Sequence, residues 1–220
     1  MRIIAFITGL VLATSAGASD LKEPRSIFTP LAAAVSNQFA GFYGGVVAGS
    51  QFTDITISED GHDFSGISAD GLLAGAHVGY NLCGGRFCLG PRVEYAFSDV
   101  AVEFGPLGDV LRMDDYFQIS AQAGVTISND TLLSVRVGYE WQNWVLDLDR
   151  VNLGEHDATV EAVVIGASLE TMVTSQLSVA VDIDYLMFNE TDAPGLDRAL
   201  EDSDALRVKV RGSWYPGLLQ

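Results

Sequence analysis

The chain has 220 residues, is 48% hydrophobic and carries 29 acidic against 12 basic residues, a formal charge of −17. So acidic a surface offers no footprint for phosphate backbones, which excludes nucleic acid as a partner. An aromatic content of 10% with abundant aliphatic residues excludes intrinsic disorder and leaves a soluble β domain, an α/β enzyme or a membrane protein.

The first element is a targeting segment. Met1-Arg2 forms a minimal positive region, Ile3 to Ala13 is apolar, and Ala16-Gly17-Ala18 fits a small-x-small cleavage site, so residues 1–18 read as a secretory signal peptide. Residues 19–38, with Pro24 and Pro30, read as a periplasmic N-terminal extension, and 39–220 as one folded unit. In that oxidising compartment Cys83 and Cys88 are expected to pair as a disulfide across a tight turn, since matching phase lets them face each other on adjacent strands.

From residue 41 onward the pattern has period 2, and no helical period of any length appears. Eight strands are expected near 41–51, 71–82, 87–98, 116–128, 131–146, 159–173, 176–188 and 205–215. Each is long enough for the roughly 9–11 residues that a tilted membrane strand needs. Their connections alternate: 83–86, 129–130 and 174–175 are tight turns, while 52–70, 99–115, 147–158 and 189–204 are long and polar. The expected fold is therefore all-β, an eight-stranded antiparallel up-and-down transmembrane barrel with short periplasmic turns and long extracellular loops.

Alternation alone cannot separate a membrane barrel from a soluble one, but aromatic placement can. Phe42, Tyr43, Tyr80, Phe87, Trp214 and Tyr215 fall at the short-turn ends, and Tyr95, Phe97, Tyr116, Phe117, Tyr139, Trp141, Tyr185 and Phe188 at the long-loop ends. Two aromatic girdles are what a pair of lipid interfaces selects. Charge separates in the same way. Phase places Arg92, Arg136, Arg207, Lys209 and Arg211 in the lumen with Glu94, Glu140, Glu170, Asp182 and Asp184, five against five, whereas the four long connections hold 20 acidic residues and only Arg112, Arg150 and Arg198.

Phe39-Ala40-Gly41-Phe42-Tyr43-Gly44-Gly45, opening the first strand after a proline-containing extension, resembles the start of small alphaproteobacterial outer-membrane barrels of the OmpA-like and opacity-type porin family. The resemblance implies an abundant, surface-exposed barrel in the outer membrane, with roles in envelope integrity and surface contact and no enzymatic activity. It also implies insertion by the outer-membrane assembly machinery, although such barrels commonly end on an aromatic residue and this chain continues past Trp214-Tyr215 to Gln220.

Several candidate sites compete with plainer readings. Gly41, Gly45 and Gly49 share one strand face and make room for long lumenal side chains. The ten lumenal charges could line a selective pore, but an eight-stranded interior is just wide enough for side chains to fill it, which favours a plug. His62, His77 and His156 do not assemble with a serine and an acid by phase, so no catalytic set is expected. Asp60-Gly61-His62-Asp63 lacks the regular ligand alternation of a calcium loop, so neither a metal site nor a cofactor is expected. Diffuse divalent binding that bridges the acidic loops to lipopolysaccharide and outer-membrane lipid, and plain solvated charge, both remain open. Pro91 removes a ladder donor inside the third strand, so a bulge or a later strand start is expected there. The alternatives to a structural surface protein are a small diffusion channel and a lipid-modifying surface enzyme.

Overall fold

A computed structural model of the chain describes residues 37–59, 62–103, 109–147, 155–188 and 204–217. The expected signal segment 1–18 and all but the last two residues of the expected extension 19–38 lie outside the described residues. Eight antiparallel strands follow in chain order: β1 (Gly41–Glu59), β2 (His62–Gly84), β3 (Phe87–Glu103), β4 (Asp109–Thr126), β5 (Thr131–Asp147), β6 (Glu155–Met172), β7 (Leu177–Phe188) and β8 (Asp204–Trp214). Each pairs with its sequence neighbour, and β1 pairs with β8 to close the barrel. Closure leaves no strand edge, the condition a spanning sheet must meet in hydrocarbon.

The period-2 pattern sorts side chains between two environments. In β7, Leu177, Val179, Val181, Ile183 and Tyr185 are exposed, while Ser178, Asp182 and Asp184 are buried. The apolar residues thus face outward and the charged ones inward, the reverse of a water-soluble barrel.

The short turns are tight. Gly84 pairs with Phe87, and Gly85 has φ of 61° in the two-residue loop between them, a left-handed conformation that a hairpin turn requires and glycine supplies without steric cost. The long connections differ from expectation. The segment 52–70, read as loop, is mostly the upper arm of a hairpin: β1 and β2 stay paired to Glu59 opposite His62, with an irregularity at Ile55/Thr56. β3 likewise runs to Glu103, β4 starts at Asp109, β5 ends at Asp147 and β6 starts at Glu155. Beyond the membrane a ladder needs no apolar face, and β-branched residues such as Thr53, Ile55, Thr56 and Ile57 keep the backbone extended. Of 189–204, only Asp204 falls within the described residues.

Two further expectations are corrected. β3 passes through Pro91 without a bulge; its pairing with β2 holds one register on either side, Gly79 with Arg92 and Leu82 with Leu89, and Pro91 lies opposite Ala121 of β4. One missing donor is tolerated because ladder bonds on both flanks hold the register. In the girdles, Tyr43, Tyr116, Phe188 and Tyr215 point inward and are buried, so the outer belts are built from Phe42, Phe87 and Trp214 at the turn end and Tyr95, Phe97, Phe117 and Tyr185 at the loop end.

Candidate functional site: the barrel interior

The interior is layered. At the short-turn end, Phe39, Tyr43, Leu132, Met172 and Tyr215 form an apolar layer against Cys88. Residues 37–40 lie across this mouth. Phe39 is fully buried, its carbonyl accepts from Asn81 Nδ2 at 3.1 Å, and Asn37 Nδ2 donates to Gly85 O at 3.2 Å. Tyr43 stacks on Tyr215 with ring centroids 5.2 Å apart, and Gln122 donates to the Tyr43 hydroxyl and to Asn81 Oδ1. The Tyr43 ring occupies the space a Cβ on Gly79 would need, so that glycine is a packing requirement. Cys83 and Cys88, opposite each other in the β2–β3 ladder, are joined by a disulfide beside this layer.

The middle layer holds the ten charges, each at most 4% exposed. Asp182 is the hub: one of its oxygens lies 3.2 Å from Arg92, 3.1 Å from Arg136 and 3.2 Å from Arg211. Arg136 also meets Asp184, Lys209 meets Glu94 and, at 3.0 Å, Asp184, and Arg211 reaches Glu170 at 3.0 Å. Arg92 and Glu94 pair at 3.1 Å. Nearer the loops Arg207 forks onto Glu140, with 2.8 and 2.7 Å bonds to its two oxygens, and stacks its guanidinium 4.0 Å from the Tyr116 ring centre. Gly166 leaves the space in which Asp184 and Arg136 meet, since a Cβ there would fall 2.0 Å from Asp184 Oδ1. Five cations and five carboxylates of alternating sign compensate one another in a volume from which water is largely removed.

Toward the loops the interior is apolar again. Leu73, Val100, Met113, Trp144, Val164 and Leu186 belong to a buried cluster above the charges. Trp144 Nε1 donates to Gln142 Oε1 at 2.9 Å, which links this layer to the charged one. The two apolar layers are hidden from any reading that sends apolar residues outward as a class. The signal was present: Trp144 shares strand parity with Glu140, and Leu186 and Phe188 share it with Asp184.

His77 meets Ser213 at 3.1 Å, a contact across the β1 seam that strand phase alone does not give. Gly45 explains it, because it pairs with His77 on one side and with Ser213 on the other. Gly45 and Gly49 have no Cβ where the β8 backbone comes closest, and Gly49 also leaves room for the Lys209 stem. The pair is not a catalytic arrangement: Ser213 accepts from Arg211, His77 Nδ1 has no hydrogen-bond partner, and both residues are buried. The side chains of His62, Asp63 and His156 lie outside the described residues, as do Asp60 and Gly61. Among the described residues no group of three or more histidine, cysteine, aspartate or glutamate side chains could hold a metal ion.

At the loop-end rim outward-facing acids engage the belt and its neighbours. Tyr185 donates to Asp204 and Tyr139 to Glu161, Asn143 donates to Asp115 at 2.7 Å, and Arg112 pairs with Asp114 at 2.7 Å. These contacts set carboxylates just above the aromatic belt.

Residues 26–210 match the family model of the outer membrane protein beta-barrel domain. None of the curated proteins matches the chain. Among solved structures, Neisserial surface protein A is 13% identical, with a TM-score of 0.50 over 80% of this chain and 97% of its own. Ail, the attachment invasion locus protein of Yersinia pestis, solved with the heparin analogue sucrose octasulfate, is 11% identical, with a TM-score of 0.45 over 79% and 98%. The outer membrane protease OmpT from Escherichia coli is 8% identical, with a TM-score of 0.37 over 80% and 96%. The expectation of no enzymatic activity is corrected on this last finding: a protease is among the matched barrels, so this architecture does not exclude catalysis. At that identity the match assigns no activity to this chain either.

Proposed function

The chain belongs to the outer membrane protein β-barrel domain family, and from that premise we propose that it is a closed structural barrel that supports envelope integrity and makes surface contacts through its acidic loops. It is a multi-pass β-barrel of the bacterial outer membrane. Within the family, the Phe39–Gly45 opening supports placing it among the OmpA-like and opacity-type barrels of alphaproteobacteria, delivered by a signal peptide and inserted by the assembly machinery. The observation that carries the structural reading is the layered interior. A neutral, mutually paired charge network lies between two apolar layers, which opposes ion passage twice, by side-chain filling and by the cost of moving a hydrated ion through a dry layer. Function then rests on the outer surface, where the excess acid lies. Next to anionic headgroups such a surface repels unless cations intervene, so Mg²⁺ or Ca²⁺ bridges the loops to lipopolysaccharide.

Two measurements test the reading. In planar bilayers the folded barrel gives no steady conductance; discrete channel openings would favour the diffusion-channel alternative. A chelator loosens lipopolysaccharide from the wild type, and neutralising the acids of 52–70 and 189–204 removes that sensitivity; identical responses would reduce the loops to solvated charge.

A further inference from the structure

Among the eight strands, β1 and β8 are the one neighbouring pair that no turn or loop joins. The other pairs stay tethered at one end when their ladder parts, so they re-pair at little entropic cost, whereas β1 and β8 have only non-covalent contacts to hold them. Their ladder begins at Gly44 with Trp214, which leaves Gly41, Phe42 and Tyr43 paired to β2 alone. The seam is therefore where the barrel wall parts most easily, and at the short-turn end it starts without a ladder.

Residues 37–40 close over this point. Gly41 has φ of 102° with open space where a Cβ would stand, so this glycine serves a left-handed bend rather than a close approach. The bend turns the chain back across the mouth. A local turn then aims Phe39 inward: Asn37 Oδ1 accepts from the Phe39 N–H at 3.1 Å, and Asn37 O from the Ala40 N–H at 2.9 Å. From there the segment grips three hairpins. Asn37 Nδ2 donates to Gly85 O in the β2–β3 turn at 3.2 Å, and Gln38 Nε2 to Asp130 Oδ1 in the β4–β5 turn at 3.5 Å. The Phe39 ring stands edge-on to Tyr215 with centroids 6.1 Å apart, and the Tyr215 N–H donates to Gln176 O in the β6–β7 turn at 2.8 Å. Tyr215 directly follows β8 and stacks on Tyr43 of β1, so Phe39 abuts the ring pair that bridges the open end of the seam.

We propose that residues 37–40 are a latch, set after the barrel has closed, that locks the β1–β8 seam at its periplasmic end. Gly85, Asp130 and Tyr215 lie on different hairpins, and one short segment reaches all of them only when β8 has met β1. Contacts made that late are absent from the transition state of closure, so they slow unfolding and leave folding untouched. The segment that locks the seam also covers the mouth, and its release opens a path for water from the periplasm to Tyr43 and the charges above it. The latch needs only the closed barrel and holds whatever the acidic loops contact.

Folding and unfolding rates of the full chain in lipid vesicles, followed against urea concentration and joined to peptide-resolved hydrogen exchange, test it. Phe39→Ala, which empties the latch, raises the unfolding rate about tenfold or more and leaves the folding rate within about twofold. Asn37→Ala keeps the ring but removes the anchor on Gly85 and the local turn. It raises the unfolding rate by a smaller factor, and it decides the matter if Phe39→Ala fails to fold. In both variants the amides of residues 44–49 and 208–212 exchange faster, while the β4–β5 ladder keeps its protection. Met113→Ala, which truncates a buried side chain of the loop-end apolar layer, speeds exchange with no preference for the seam. A folding rate lowered as much as the unfolding rate is raised would place these contacts in the closing step and overturn the latch. Faster exchange spread evenly over all eight strands would make Phe39 a packing residue only, and unchanged rates in both variants would remove the segment's role at the seam.

Discussion

Val181 and Asp182 are neighbours on β7, yet one is 47% exposed and the other fully buried, and each is where it is most stable only because the solvent is lipid outside and protein inside. The outer face is held by the hydrophobic match to the bilayer, a force that is diffuse and indifferent to which apolar residue stands where. The inner face is held by geometry: each charge depends on named partners on other strands, and loss of one strands the rest. The outer face should therefore tolerate exchange among apolar residues but not charge, and the inner face should tolerate very little.

The sharpest test is Asp182→Ala, which removes the acid shared by Arg92, Arg136 and Arg211. The expected loss is about 3–5 kcal/mol, read as a shift in the urea midpoint of the barrel folded in vesicles. On the other face, Val208→Arg should cost about 2–4 kcal/mol, since Val208 lies near the middle of β8 and faces lipid. Substitution of Arg207 next to it by Met should also destabilise, by freeing Glu140; if Val208→Arg is tolerated while Arg207→Met stabilises, the two faces are reversed. Tyr116→Phe removes only the bond its hydroxyl donates to Glu94 at 2.7 Å and keeps the ring under Arg207, so a loss of about 1.5–3 kcal/mol is expected in the same assay. The smallest effect is for Cys83→Ser combined with Cys88→Ser. With a sequence separation of five the closed loop is short, and the expected loss is about 2 kcal/mol or less, measured against the oxidised wild type.

The sequence by itself determined the strand count, the alternation and the sorting of ten charges to one side, because a period of two is a local property and parity follows from it. Tight turns such as Gly84–Phe87 were legible for the same reason, as was the facing of Cys83 and Cys88 across one hairpin. Parity also carried the inward placement of Trp144 and Leu186, but a rule that sends every aromatic and aliphatic residue to lipid obscured it. Hairpin arms above the membrane are hard to tell from loops in the sequence because their polarity resembles that of irregular segments, whereas β-branched Thr53, Ile55, Thr56 and Ile57 favour the extended backbone. What only the tertiary structure decided is who meets whom. Arg207 finds Glu140 across 67 residues, and His77 finds Ser213 across 136, through strand pairs closed by β1 against β8. Those meetings depend on the stagger accumulated around the whole ring, and a shift of two residues in any one ladder would keep every side chain on its face while giving each charge a different partner.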